Sequence, residues 1–234
     1  LVRSRGLGDV YKRQLLGWGW NHNLWKEGRF PRKEDVNGVT GEHLMALRSK
    51  DRHMVWANSI ALKMAGIGPD TPDPAGGEIG RDPCSGEPTG ILKDTAIGLI
   101  HNLIPETDLA TLQKLLKEAF ANAHSYGLTG IHNHEGAIEL TAFQELAKRG
   151  EMGPRVYGSI PAEELEAAIA LGVRSGFGNE WLRIGGVKLL CDGSLGSRTA
   201  DMFQPYEDEP HNRGIEVTNS EDLRKLVSRA ACAG

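Results

Sequence analysis

The chain has 234 residues and a mass of 25.4 kDa, the size of one large domain or two small ones. Apolar residues make up 39% and charged residues 25%, which excludes a disordered chain, and a net charge of -4 with a pI near 6.1 argues against a nucleic-acid binder. No run of about 18 apolar residues occurs, so no membrane span is expected, and three scattered cysteines exclude a disulfide framework or a cysteine zinc site.

Lone cysteines suit a reducing compartment, and a cytoplasmic location is the expectation. Residues 1–14 (LVRSRGLGDVYKRQ) are basic and show no amphipathic period. Residues 9–14 look like the translation of a transposon-end adapter, so 1–14 is set aside as a non-native segment. The alternative is a short basic arm. Residues 15–234 are read as a partial domain whose N- and C-terminal parts are missing.

A short apolar run at 44–48 reads as a strand. Residues 58–65 read as a helix capped by Asn58 or Ser59 and stopped by Gly66. Residues 66–92 are rich in Pro, Gly and Asp and read as a long irregular insertion. From residue 108 onward, helix patterns at 108–126, 138–148 and 161–171 alternate with apolar runs at 128–132, 155–160 and 184–191. A capping box at Thr218–Glu221 opens a final helix. This alternation predicts parallel strands with crossover helices, and both a barrel and an open doubly wound sheet satisfy it. No Gly-x-Gly-x-x-Gly opens a helix, so a dinucleotide fold has no support.

Lys188 is the first candidate for chemistry. It lies in the apolar run IGGVKLLCD (184–192), and burying an ammonium is expensive. Period 2 places Lys188, Leu190 and Asp192 on one face. Desolvation lowers a lysine pKa, and a neutral amine takes up carbon dioxide to form a carbamate that can bridge metal ions. The alternative is a salt bridge with a nearby carboxylate. His132 and His134 flank Asn133 at a strand end, with the spacing of either metal ligands or loop hydrogen-bonders. His53 is placed at a βα connection. The loop 192–199 (DGSLGSRT) offers backbone N–H groups to an anion, or is a flexible loop with Arg198 paired to an acid. Trp18, Trp20 and Trp25 read as core.

Several of these strings, in this order, resemble the amidohydrolase 3 family of YtcJ-like metal-dependent amidohydrolases. They are GWGW (17–20), RHMVWANSIAL (52–62), GEPTGIL (86–92), GLTGIH (127–132) and VKLLCDGSLGSRTA (187–200), followed by Pro205-Tyr206 and Asn212-Arg213-Gly214. The last long string is the most specific. The resemblance implies an α/β fold, here a partial TIM-like (β/α) barrel. It implies hydrolysis of carbon–nitrogen bonds other than peptide bonds, of N-substituted amide or formamide type. It implies one or two divalent ions, zinc being expected, bridged by a carboxylated lysine that Lys188 matches. The other family ligands would lie outside this sequence. His132 and His134 match a later strand where the family has His-Asp, with Asn133 replacing the aspartate. His53 and His132 are then catalytic residues facing substrate, and Lys188 is both catalytic and the metal ligand. Arg48, Asp192 and Arg198 are candidates for binding a small amide-type substrate, with no nucleic acid involved and a homo-oligomer possible. The competing classes are a non-catalytic β/α protein holding an anion or small molecule on the 194–197 loop, and an inactive fragment.

Overall fold

The computed structural model describes residues 14–207 and 209–234. The segment set aside above therefore lies outside the described residues except for Gln14, which opens the first strand. The fold is mixed α/β, and the chain divides into two compact units.

The first unit comprises the described residues up to Pro105 together with Leu190–Asn219. Its strands are β1 (Gln14–Trp20), β2 (Leu44–Ser49), β3 (Met54–Ala57), β4 (Gly77–Arg81) and β5 (Pro88–Asp94). Its helices are α1 (Glu34–Thr40), α2 (Ser59–Met64) and α3 (Gly98–His101). The sheet runs β1-β2-β3-β5-β4. Only β1 and β2 are parallel; the other neighbours are antiparallel. Leu44, Val55, Leu62, Ile79, Leu92 and Ile100 form its main core. Asn58, fully buried, ties the core's edge together. Its Oδ1 accepts from Ala61 N (3.0 Å) and Met45 N (3.1 Å), capping α2, while Nδ2 donates to Thr40 Oγ1 (2.9 Å) and the His43 carbonyl (2.8 Å).

The expected irregular insertion at 66–92 is corrected here: it carries β4 and most of β5. Glycines and Pro88 interrupt the alternation that would have announced them. Gly90 (φ +102°) must be glycine, since a Cβ there would run into the Ala57 carbonyl.

The second unit comprises Glu106–Leu189 and Ser220–Gly234. Its elements are α4 (Leu109–Ser125), β6 (Gly130–Asn133), α5 (Ala137–Lys148), β7 (Arg155–Pro161), α6 (Leu165–Ala170), β8 (Leu182–Lys188) and α7 (Ser220–Ala233). The strands β6-β7-β8 are parallel, as the alternation predicts. Asp108 Oδ1 caps α4 by accepting from Thr111 N at 3.0 Å. One face of the sheet, with Ile131, Val156 and Leu182, packs on Phe120, Phe143 and Leu146 of α4 and α5. The other face carries His132, Tyr157 and Arg183, which are exposed. The final helix begins at Ser220, and the Thr218 hydroxyl donates to the Leu190 carbonyl at 2.6 Å.

The expected strand at 184–191 ends at Lys188, so Leu190 and Asp192 do not share a strand face with it. A bulge matters more. Gly158 pairs with Ile184 but Ile160 pairs with Val187, so β8 contains one extra residue. Without it, Lys188 would follow Leu182 and Ile184 onto the helix-covered face. With it, Lys188 pairs with Pro161 and turns to the face of Tyr157 and Arg183.

Candidate functional site

In the first unit, polar residues gather where β1, β2 and β5 end. The β2–β3 turn holds Asp51 and His53. His53 is thus in the connection of an antiparallel pair, which corrects the expected βα position. Asp51 Oδ1 accepts from Ser49 Oγ (2.5 Å) and His53 N (3.2 Å). Asp51 Oδ2 accepts from the hydroxyls of Ser194 and Ser197, both at 2.7 Å. Burial pushes the Asp51 carboxyl upward, but the Ser194, Ser49 and Ser197 hydroxyls outweigh it, and the net shift is downward.

His53 Nδ1 lies 2.6 Å from Asp94 Oδ1 at the end of β5. The Asp94 side chain is 5% exposed and its Oδ2 has no partner among the described residues. The hydrogen bond to Asp94 raises the His53 pKa. Burial opposes it, and the charges of Asp94, Asp51 and Asp192 reinforce it.

Three non-glycine residues among those described adopt positive φ: Arg52 (71°), Asp94 (47°) and Arg198 (55°). Arg52 precedes His53, Asp94 binds it, and Arg198 lies in the loop that Asp51 anchors. Such conformations each cost on the order of 1–3 kcal/mol and collect at functional sites.

The loop after Leu190 is rigidly folded on itself. Gly193 N donates to Thr199 O (3.1 Å), Ser194 N to Thr199 Oγ1 (3.0 Å) and Thr199 N to Ser194 O (3.0 Å). Ser197 N and Arg198 N are also bonded within the loop. These N–H groups are therefore taken, which removes most of the donors on which an anion-binding loop would depend. A Cβ on Gly193 would overlap Thr199 Oγ1 and come within 2.8 Å of Asp94 Oδ2. Asp192 Oδ2 accepts from Asp201 N at 3.0 Å. Arg198 pairs with Glu209 (3.2 Å) and lies 5.7 Å from the Phe30 ring centroid. Arg48 sits half-buried in β2, in register with Val55 and Trp18. His22 is buried, 4.3 Å from Phe30 between ring centroids, and neither ring nitrogen has a partner among the described residues. Burial, then the Arg198 charge, lowers its pKa.

In the second unit, Lys188 is half-buried at the C-terminal end of β8. The imidazoles of His132 and His134 lie 6.4 Å apart between centroids. His134 Nδ1 is 3.1 Å from Ser159 Oγ, and the His132 ring is 5.1 Å from Tyr157. An open cavity of about 550 Å³ adjoins His132, lined also by Arg155, Tyr157 and Arg183.

Sequence reading missed Asp51, Asp94 and His22. Asp94 stands two residues beyond the GEPTGIL string, and only pairing of β3 with β5 brings it to His53. A metal centre takes three or more protein ligands. No group of three His, Cys, Asp or Glu converges among the described residues, so they do not by themselves fit a complete centre. The three cysteines are free and exposed. No described helix is long and apolar enough to cross a membrane.

Comparison with known proteins gives concordant results. The sequence profile of the Amidohydrolase family matches residues 8–234, beginning inside the segment set aside as 1–14. YtcJ of Bacillus subtilis (strain 168) is 32% identical over 222 residues, covering 92% of this chain and 41% of that protein. An N-substituted formamide deformylase of Arthrobacter pascens is 37% identical over 110 residues, covering 45% of this chain and 20% of that protein. The crystal structure of a metal-dependent hydrolase from Pyrococcus horikoshii OT3 superposes with a TM-score of 0.62 at 26% identity, covering 95% of this chain and 43% of that one. The chain thus spans about two fifths of the length of YtcJ and of the solved hydrolase.

Proposed function

We propose, from the premise that this chain belongs to the amidohydrolase family, that it forms part of a metal-dependent hydrolase of carbon–nitrogen bonds other than peptide bonds. Likeness to the solved metal-dependent hydrolase supports the divalent metal. Likeness to the formamide deformylase supports an N-substituted amide or formamide as substrate. In this reading β6, β7 and β8 with their helices are an arc of a TIM-like barrel.

Lys188 is proposed to act as a carbamate bridging divalent ions, zinc in this reading, with the remaining ligands drawn from parts of the family-length protein beyond this chain. The observation that carries the role is the β8 bulge, which turns Lys188 onto the sheet's polar face at a strand's C-terminal end. An ion held at such a centre would supply hydroxide near neutral pH. His53 is proposed to donate to the carbonyl oxygen, and His132 to face substrate. Arg48, Asp192 and Arg198 are proposed to border the substrate's substituent.

The test is hydrolysis of N-substituted formamides and N-acyl amines by a family-length protein containing this chain. Activity should vanish on chelation and return with a divalent metal. Full turnover in the chelated, metal-free protein contradicts the reading.

A further inference from the structure

We propose that Asp94 is a positioning residue: it fixes the His53 ring with Nδ1 as donor and presents Nε2–H to a substrate oxygen. The inference rests on the reading that His53 faces substrate, and it adds a residue that no motif assigns.

Geometry carries the argument. The Nδ1–Oδ1 separation of 2.6 Å is a close hydrogen bond, just short of the range of about 2.7–2.9 Å usual for charge-assisted N–H···O pairs. The backbones are joined at the same place, since Asp94 N donates to the His53 carbonyl at 3.0 Å. Ring and carboxylate are therefore doubly tied. The strained backbones of Arg52 and Asp94 show that the surrounding structure holds both partners in place. Asp94 is nearly excluded from water and its Oδ2 has no partner, so among the described residues His53 Nδ1 is the side-chain partner of this carboxylate. On the Oδ2 side, Gly193 closes so tightly that a side chain there would press on the carboxylate.

The proton inventory follows. With the Asp94 carboxylate as the acceptor of the Nδ1–Oδ1 bond, Nδ1 carries the proton. Burial opposes charge on the ring, while the largest charge effects come from Asp94, Asp51 and Asp192, and all three favour the imidazolium. Its second proton sits on Nε2, which has no partner among the described residues. An Nε2–H donor suits a carbonyl oxygen that becomes an oxyanion during attack at the amide carbon. The proton stays on Nε2 throughout, so no acid or base is consumed.

The experiment is NMR of the 234-residue chain labelled with ¹⁵N-histidine, in the wild type, Asp94→Asn and Asp94→Glu. In the wild type, His53 should titrate above the ordinary value of about 6.5, and its neutral form should carry the proton on Nδ1. Asp94→Asn should lower the midpoint by about one pH unit or more, and Asp94→Glu should restore part of it. A wild-type neutral form protonated on Nε2 overturns the proposal, whether or not the variants fold. So does a folded Asp94→Asn chain whose His53 midpoint is unchanged. Turnover of His53→Gln in the family-length protein is read separately. Unchanged kcat/KM there refutes the substrate-facing role of His53 while leaving the Asp94 orientation to the NMR result.

Discussion

Asp51 and Ser197 are joined by a 2.7 Å hydrogen bond across 146 positions of sequence. Ser194 donates to the same oxygen, so one carboxylate pins the 192–199 loop to the β2–β3 turn. Asp51→Ala should release that loop. Ser197 is fully buried and would lose its acceptor, at a cost of about 1 kcal/mol, since water can replace part of the bonding at the partly exposed Asp51 carboxylate. Hydrogen exchange should rise at residues 193–199 and hardly at all in β6–β8. Unchanged protection of the loop would refute the pinning role.

The same carboxylate predicts an acid dependence. Its folded pKa lies below the ordinary value of about 3.9. A depressed carboxyl contributes stability above the unfolded value, and that contribution fades as pH falls through the folded value. Thermal melts between pH 2 and 6 should therefore show a steeper loss below about pH 4 in the wild type than in Asp51→Asn. Parallel curves would exclude the contribution.

Asn58 makes four hydrogen bonds from a fully buried side chain. Asn58→Ala removes a helix cap and leaves Met45 N and the His43 carbonyl without their partner. The expected loss is about 3 kcal/mol, read by urea unfolding. A loss below about 1 kcal/mol would mean that the neighbours find other partners.

Gly185 predicts a steric cost with no backbone component, because its φ is not positive. A Cβ there would overlap the Tyr157 ring. Gly185→Ala should destabilise by about 1–3 kcal/mol. In a Tyr157→Ala background the same change should cost much less. Equal cost in both backgrounds would place its origin elsewhere.

Much of the second unit was legible in sequence because it obeys simple periods. The apolar stripe of α4 and the apolar runs of β6 and β7 all follow local rules. Capping by Asn58 was legible for the same reason. β4 and β5 were not, because Gly77, Gly80, Gly90 and Pro88 erase the alternation. The face of Lys188 was not legible either, since a one-residue bulge reverses what period 2 dictates. Asp51 and Asp94 escaped because the partners that define their roles, Ser194 and Ser197 for Asp51 and His53 for Asp94, lie 41 to 146 positions away, beyond any local pattern.

The 234-residue chain by itself should show no metal-dependent hydrolysis with added zinc. Its described residues bring no three His, Cys, Asp or Glu together, and a catalytic ion needs at least three protein ligands. Zinc-dependent turnover of an N-substituted formamide by the purified chain would contradict this.

The role of Lys188 is tested most directly by metal content and turnover of Lys188→Ala in a family-length protein containing this chain. A carbamate places negative charge between two cations, and alanine removes both the bridge and the charge. Bound metal should fall by at least one ion per chain and turnover should collapse while the fold persists. Added acetate or propionate should restore part of both, because a carboxylate can occupy the vacated space. Lys188→Ala that retains two ions per chain and near-normal turnover would contradict the bridging lysine.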